Sequence, residues 1–188
     1  MNTKAYLTIL LLVLGLQAHA QHRHSDRADN VMEYLPYAAV FTLKVCGVES
    51  SDGWKEMALT TTASWVATAG AAYLLKHNIR ELRPDKSDRK SFPSGHASIA
   101  FAGATMLHKE YGKVSPWISV AGYGVATVVG VDRVIGDRHY WHDVVAGAAI
   151  GFVSAEATWW LSRKVFKNKS DQLSVGFGGN TLDVAVTF

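Results

Sequence analysis

Two histidines and three cationic side chains are the residues in this sequence best suited to chemistry on a phosphate group. The histidines are His96 and His139, and the cations are Lys76, Arg83 and Arg133. A phosphoryl group in transfer spreads negative charge over its oxygens, so catalysis depends mostly on positioning and electrostatic stabilisation. Arginine grips phosphate through two parallel hydrogen bonds, and lysine supplies a compact point charge. This set could support phosphoryl transfer without a metal ion.

The first cationic pair is expected at the end of a helix. Pro84 disfavours helical backbone at the residue before it, so Arg83 is predicted to lie at a helix end or just beyond. Lys76 lies seven residues earlier, on nearly the same helix face if the helix continues that far. The alternative is that the charged stretch 80–90 is only a solvated surface loop.

The second segment, Pro93-Ser94-Gly95-His96, precedes a run of good packing residues at 97–107. Ser94 is a plausible N-cap of a helix that begins there. Free backbone N–H groups at such an N-terminus favour an anion. Gly95 has no side chain, so a phosphate could approach the backbone closely. His96 would then face the same site.

The third segment contains Arg133, His139 and Asp143, with the last two spaced four residues apart. On a helix this spacing places the two side chains on one face. A carboxylate bonded to one imidazole nitrogen fixes the tautomer and leaves the other nitrogen as a nucleophile or base. The alternative is a solvated helix pair worth only about 0.2–0.5 kcal/mol.

The order and spacing of these segments resemble the three-part signature of the phosphatidic acid phosphatase type 2 and vanadium haloperoxidase superfamily. The resemblance implies that His139 attacks phosphorus and forms a phosphohistidine. It implies that His96 protonates the leaving oxygen and then activates water, and that Asp143 orients His139. No cofactor and no metal ligand set is expected. The residues implied to hold the phosphate oxygens are Lys76, Arg83, Ser94, Gly95 and Arg133.

The third segment departs from the family pattern at one position. Asp132 stands before Arg133, where the family usually has a small residue, often serine. This carboxylate could steer the arginine or partly neutralise it, which affects the strength of the phosphate contact. His142 is not a position that the family uses, and we interpret it as a packing or rim residue.

The N-terminus has the pattern of a secretory signal peptide over residues 1–20. Lys4 gives a positive start, residues 5–16 are apolar, and Ala18-His19-Ala20 is a small-x-small cleavage site. The apolar run is too short to span a bilayer, and the alternative is an uncleaved anchor. Export places the protein in the cell envelope, with a polar segment at 21–30.

Cys46 is the single cysteine, so no internal disulfide can form, and its apolar surroundings predict burial.

Composition excludes some partners and leaves two classes open. The formal net charge of +3 falls to +2 without the segment that contains Lys4, which is too small to argue for nucleic acid. The 48% content of hydrophobic residues favours either a well-buried helical domain or a membrane protein.

The predicted fold is an all-α bundle of about five helices at residues 31–166. Helices are expected at 31–48, at 55–77, after Ser94, at 114–131 and at 143–166. Adjacent loops alternate ends in an up-and-down bundle, so all three segments should meet at one end. Period-two alternation around a glycine turn in the tail, residues 167–188, predicts a short β-hairpin. The alternative there is a disordered tail.

The predicted reaction is hydrolysis of a phosphate monoester or pyrophosphate, with a phosphorylated lipid as the substrate. Phosphatidic acid, phosphatidylglycerol phosphate, undecaprenyl diphosphate and lipid A phosphates are the substrates of membrane-bound members of the family. The expected location is the membrane, with a periplasm-facing active site. Three alternatives stay open: a soluble periplasmic non-specific acid phosphatase, a vanadium haloperoxidase, and a non-catalytic envelope protein.

Overall fold

The computed structural model describes the backbone of residues 31–178 and 181–186 and the side chains of residues 31–166. The predicted signal peptide, the polar segment at 21–30 and the turn at 179–180 lie outside the described residues. Within the described part the protein is all-helical up to residue 172. The helices are α1 (Leu35–Val45), α2 (Trp54–Asn78), α3 (Gly95–Tyr111), α4 (Pro116–Ile135) and α5 (Trp141–Gln172).

Helix α3 is the central element, and the other four helices pack around it. Its small side chains, such as Ala100 and Ala104, are fully buried and let the neighbouring helices approach closely. Larger apolar residues of α3, including Met106, fill the core against Val40 of α1 and Met57 of α2. At its far end the buried Tyr111 hydroxyl donates a 2.7 Å hydrogen bond to the Val40 carbonyl oxygen. This hydrogen bond holds the C-terminal end of α3 against α1.

Two glycines bring α5 into backbone contact with α3. A β-carbon at Gly147 would collide with the carbonyl oxygen of Ser94, and one at Gly151 would collide with that of Ser98. Gly122 and Gly130 of α4 are also in tight contacts, with Leu107 and Val144, as their small size predicts. A β-carbon at Gly124 would meet no atom of another described helix within 4 Å, so that glycine does not serve helix packing.

The chain runs up and down, so that alternate loops meet. At one end, which we call the motif end, the 79–94 loop contacts the 136–140 turn. The Asp85 N–H donates to the Asp137 carbonyl at 3.2 Å, and the Ser94 N–H donates to the Asp143 carbonyl at 3.0 Å. At the opposite end the Ser51 N–H donates to the Glu110 carbonyl at 2.9 Å. The prediction that the three segments share one end is therefore confirmed.

Two helices are long and apolar enough to cross a membrane by length and composition, namely α4 and residues 141–166 of α5. Only 33% and 17% of their most apolar windows are buried within the protein. Most of their apolar surface thus faces outward. The exposed large side chains of these helices include Trp117, Val120, Val131, Ile135, Trp141, Val145, Phe152, Val153, Trp160 and Leu161.

Two sequence predictions concern the burial of Cys46 and a β-hairpin in the C-terminal tail. Cys46 is exposed rather than buried, because it is the C-cap of α1 and lies beyond Leu43, the last buried residue of that helix. After α5 the backbone forms two antiparallel strands, β1 (Leu173–Gly178) and β2 (Thr181–Val186). The turn that would join them lies outside the described residues, so the β-hairpin stays a prediction.

Candidate active site

The first two cations lie where the proline predicts. Helix α2 ends at Asn78, so Lys76 is in its last turn and Arg83 lies beyond it in the 79–94 loop. The Lys76 ammonium donates a 2.9 Å hydrogen bond to the Lys90 carbonyl. Burial, followed by the charge of Arg83, lowers the pKa of Lys76. The lysine is thus held by the same loop that carries the arginine.

Arg83 is fixed at two points, both near the motif end of the bundle. Its Nε donates to Asp88 Oδ1 at 2.8 Å, and its Nη1 reaches the Arg138 carbonyl at 3.4 Å. Asp88 also accepts from the Lys90 N–H at 2.8 Å. The guanidinium therefore bridges the 79–94 loop and the 136–140 turn, so the charged stretch is more than a solvated surface loop.

Ser94 caps α3 as predicted. Its side-chain oxygen accepts from the Ala97 N–H at 3.5 Å, and the side chain is fully buried. The helix begins at Gly95, and among the described residues open space lies where a β-carbon of Gly95 would point. His96 follows in the first turn. The N-terminus of this helix and the space beside Gly95 are suited to an anion.

Arg133 is in the last turn of α4 and is only 6% exposed. Its Nη2 lies 3.1 Å from the Asp132 carboxylate, so the residue that departs from the family pattern does hold the arginine. The Arg133 carbonyl accepts the N–H groups of Arg138 and His139, each at 3.1 Å. These bonds fold the 136–140 turn back on α4 and fix the position of His139.

His139 and Asp143 are brought together, but not on one helix face. Helix α5 begins at Trp141, so His139 lies in the preceding turn, and the predicted helical pairing is wrong in that respect. The His139 Nδ1 is 3.6 Å from Asp143 Oδ2, both side chains being almost fully buried. That distance is longer than a hydrogen bond.

The pKa values of both histidines are lowered to about 4. For His96 the causes are burial and then the charges of Arg133, Lys76 and Arg83, which Asp132 partly offsets. For His139 they are burial and then Lys76 and Arg83, opposed by Asp143 and a hydrogen bond to the Ser91 backbone. Both imidazoles are therefore neutral at pH 7. Lys76 and Arg83 lower the pKa of both histidines, so both imidazoles lie within electrostatic reach of this lysine and this arginine.

Three contacts involve residues that the sequence reasoning missed. Ser91 Oγ donates a 2.5 Å hydrogen bond to Asp143 Oδ2, which also accepts the Tyr140 N–H at 2.9 Å. Glu33, only 8% exposed, lies 3.9 Å from His96 Nε2. Burial raises the pKa of Glu33. No local pattern marks Glu33, whereas Ser91 could have been suspected from its nearness to the Pro93–His96 segment.

His142 has a partner that its rim position did not predict. Its ring stacks on Tyr140 with centroids 5.4 Å apart and planes within 7°. Its Nε2 lies 2.9 Å from Glu81 Oε1 and 3.3 Å from Asp143 Oδ1. The side chain is 42% exposed, so it lies at the rim as interpreted and also joins the 79–94 loop to α5.

The arrangement has the parts needed to bind and transfer a phosphoryl group. Lys76 and Arg83 act electrostatically on both neutral imidazoles and Arg133 acts on that of His96. The N-terminus of α3 adds further hydrogen-bond donors. One imidazole faces a buried carboxylate that could hold its tautomer, and the other faces the carboxylate of Glu33. A neutral imidazole can attack phosphorus, whereas an imidazolium cannot.

Comparison with known proteins agrees with this chemistry. The family model described as the PAP2 superfamily matches residues 61–167. The chain is 37% identical over 143 residues to a lipid A 1-phosphatase of Porphyromonas gingivalis, covering 76% of this chain and 32% of that protein. It is 38% identical over 81 residues to lipid phosphate phosphatase 1 of Arabidopsis thaliana, covering 37% and 25% respectively. The chain thus spans a third or less of the length of these relatives.

A solved structure shares the fold. The crystal structure of Aquifex aeolicus LpxE superposes with a TM-score of 0.56 at 22% sequence identity, and the match covers 82% of this chain and 94% of that one. The helical arrangement is therefore one that is known from experiment.

Proposed function

The chain belongs to the PAP2 superfamily, and on that premise we propose that it is a metal-independent phosphatase acting on a phosphate monoester or pyrophosphate of a lipid. The observation that supports this most is the meeting of Lys76, Arg83 and Arg133 with two neutral histidines at one end of the bundle. The cations would neutralise the phosphate oxygens. The histidines would form and break the bonds.

In the proposed reaction the neutral His139 attacks phosphorus, and a bond forms between nitrogen and phosphorus as the bond to the ester oxygen breaks. His96 gives a proton to the departing oxygen and then removes one from the water that attacks the phosphohistidine. Phosphate leaves, and both imidazoles return to their starting states. Asp143 orients His139, and Ser91 holds Asp143. The phosphate oxygens are held by Lys76, Arg83, Ser94, Gly95 and Arg133.

Substrate binding itself prepares His96 for the role of acid. Burial and then the neighbouring cations lower the pKa of His96 and keep this imidazole neutral before a phosphate binds. A bound phosphate brings negative charges that offset those cations, and nearby negative charge favours the imidazolium form. Binding is therefore expected to be coupled to proton uptake, with Glu33 adding to the effect at 3.9 Å.

Lipid is the favoured substrate class for two reasons. The relatives named above are lipid A and lipid phosphate phosphatases, and α4 and α5 expose apolar surface along their length. Trp141 and Trp160 are both exposed and stand 19 positions apart on α5. That is about 28 Å on a helix, close to the roughly 30 Å of a bilayer core, and tryptophan favours the membrane interface.

The proposed orientation has the motif end facing the periplasm. Glu33 lies beside His96, so the start of the helical domain is at the motif end. Cleavage after Ala20 would leave that start on the outer side of the membrane. The predicted C-terminal β-hairpin follows α5, which begins at the motif end and runs away from it, and so would lie on the other side.

The test is turnover by the purified full-length protein in detergent. We expect release of phosphate from phosphatidic acid and from para-nitrophenyl phosphate, unchanged by EDTA and competitively inhibited by vanadate, which mimics the transferring phosphoryl group. Loss of activity in EDTA with recovery on adding magnesium would contradict the metal-independent mechanism. Hydrolysis of para-nitrophenyl phosphate alone would favour the soluble, non-specific acid phosphatase, and halide oxidation with vanadate would favour the haloperoxidase.

A further inference from the structure

Glu81, His142 and Asp143 form a cluster on the outer side of the candidate active site. One ligand atom from each lies within 4.8 Å of the other two. Only Asp143 has a part in the proposed reaction, and there it acts through its other carboxylate oxygen. We propose that these three side chains bind a zinc ion, and that the bound ion inhibits the phosphatase.

The geometry is close to that of a three-ligand zinc site. His142 Nε2 lies 2.9 Å from Glu81 Oε1 and 3.3 Å from Asp143 Oδ1. In a tetrahedral site with bonds of about 2.0–2.2 Å, ligand atoms stand about 3.3–3.6 Å apart. The ligand atoms of the two carboxylates lie within 4.8 Å of each other, and the Glu81 side chain, 31% exposed, is free to adjust on binding. A water molecule would complete the coordination.

Asp143 supplies a second and independent observation. Its side chain is fully buried, and its Oδ1 makes no well-formed hydrogen bond within residues 31–166. The other oxygen, by contrast, accepts from Ser91 and from the Tyr140 N–H. A buried acceptor without a donor is costly, and this one points toward His142. A cation placed between them would satisfy it.

The ligand set selects the type of metal. One imidazole and two carboxylates suit zinc, whereas calcium and magnesium prefer oxygen ligands alone. Two carboxylates balance the charge of a divalent ion. Lys76 acts electrostatically on Asp143 from the pocket side and weakens the site. Because His142 and Glu81 are both partly exposed, the ion can enter from solvent without crossing the phosphate pocket.

Inhibition follows from the double role of Asp143. The same carboxylate that would bind zinc through Oδ1 faces His139 Nδ1 through Oδ2 at 3.6 Å. A divalent ion on Oδ1 draws electron density from the carboxylate and reduces its ability to hold the imidazolium that forms during attack. The inhibitory effect rests on the proposed phosphatase function, but zinc binding does not.

The experiment compares zinc inhibition of the wild-type protein with that of His142→Gln and Glu81→Gln, using the full-length protein and a chelator-free buffer. Both variants should keep turnover near the wild-type rate in EDTA. Their half-inhibitory zinc concentration should rise at least about tenfold, equivalent to about 1.4 kcal/mol. Two control variants replace histidines elsewhere in the chain: His108→Gln and the double variant His22→Gln/His24→Gln. Both should remain as sensitive to zinc inhibition as the wild type.

Direct binding separates this proposal from the proposed function. Calorimetric titration with zinc, or absorption titration with cobalt, should show one site in the wild type, weakened in His142→Gln and Glu81→Gln. Binding without inhibition would overturn the inhibitory role and keep the site. Equal zinc inhibition in the wild type and both variants would instead place zinc on the catalytic histidines and overturn the proposal. Absence of one-to-one zinc binding in the wild type would also overturn the proposal.

Discussion

At the scale of single residues, Asp143 determines how the site differs from a simple helix pair. Its side chain is fully buried. The carboxylate accepts hydrogen bonds from the Ser91 hydroxyl and the Tyr140 N–H, and it faces His139. A surface pair at the same spacing would be exposed and would contribute about 0.2–0.5 kcal/mol. The burial of this carboxylate beside the proposed nucleophile is what suggests a positioning role, because orienting carboxylates act in this way in other triads.

We expect Asp143→Asn to retain the fold and lose turnover by orders of magnitude. The amide can accept from Ser91 through its oxygen, but it favours the wrong tautomer of His139. The measurement is kcat beside the thermal melting curve, with Asp137→Asn in the adjacent turn as the matched control. A folded Asp143→Asn protein that keeps more than about a tenth of the wild-type kcat would remove Asp143 from the catalytic group, since one decade is about 1.4 kcal/mol of barrier.

Glu33 is expected to tune the proton donor. Its carboxylate at 3.9 Å favours the protonated form of His96, so Glu33→Gln should lower the pKa of His96. A general acid works only while protonated, so the high-pH limb of the kcat profile should move to lower pH. The other charged groups that act on His96 are Arg133, Lys76, Arg83 and Asp132.

The choice of substrate provides the control for Glu33. An alkyl phosphate needs a proton on its leaving oxygen, whereas para-nitrophenolate leaves readily without one. The shift of the pH profile should therefore be clear with phosphatidic acid and weak with para-nitrophenyl phosphate. Identical profiles for wild type and Glu33→Gln with phosphatidic acid would show that the carboxylate does not act on the reaction.

At the scale of the elements, the contact between α3 and α5 holds the second and third segments together. Gly147 lies against the Ser94 carbonyl, and the Ser94 N–H bonds the Asp143 carbonyl. The N-terminus of α3 and the start of α5 are therefore one structural unit. Any change that separates the two helices should move His96 away from His139.

Gly147→Ala is expected to reduce both stability and turnover. The added methyl group collides with the Ser94 carbonyl, and overpacking of this kind typically costs about 1–3 kcal/mol. Gly124→Ala is the matched control, because the space beside Gly124 is open and alanine favours helix by about 1 kcal/mol. Thermal melting and kcat are measured on both variants. If Gly147→Ala matched Gly124→Ala in both, the close contact would have no role in positioning the site.

Local chemistry explains which parts of the site could be predicted from sequence. Ser94 as an N-cap and the end of α2 before Pro84 both follow from side chains within a few positions. The shared end of the bundle follows from loop alternation. Glu33 could not be found this way, because 63 positions separate it from His96. The helical pairing of His139 with Asp143 was wrong, since a hydrogen bond from the His139 N–H to the Arg133 carbonyl holds His139 in the turn before α5.

At the scale of the whole molecule, the two ends of the bundle differ in kind. The motif end carries the proposed phosphate pocket and Glu33. The opposite end carries Cys46 and a separate polar cluster, in which Arg163 lies 2.6 Å from the buried Asp52 carboxylate. Lys164 of the same helix lies 3.8 Å from the Trp160 ring centroid. The proposed orientation places this end toward the cytoplasm.

Cysteine labelling tests that orientation, because Cys46 is the single cysteine of the sequence and is exposed. A membrane-impermeant maleimide should not label the wild type in spheroplasts of a Gram-negative host, but should label it after lysis. The variant Cys46→Ser/Ser87→Cys moves the thiol to the exposed 79–94 loop and should be labelled before lysis. The reverse pattern would invert the proposed topology, and labelling of both in spheroplasts would argue against a membrane barrier between the two ends.

Trapping of the covalent intermediate is the most direct measurement of the proposed mechanism. His96→Ala with para-nitrophenyl phosphate should form the intermediate, since this leaving group needs no acid, and should hydrolyse it slowly, since no base activates water. Rapid quenching at alkaline pH and mass spectrometry of the peptides should locate one phosphate on His139, and His139→Ala should carry none. Burst release of para-nitrophenol with no phosphate on His139, or with phosphate on another residue, would contradict the mechanism.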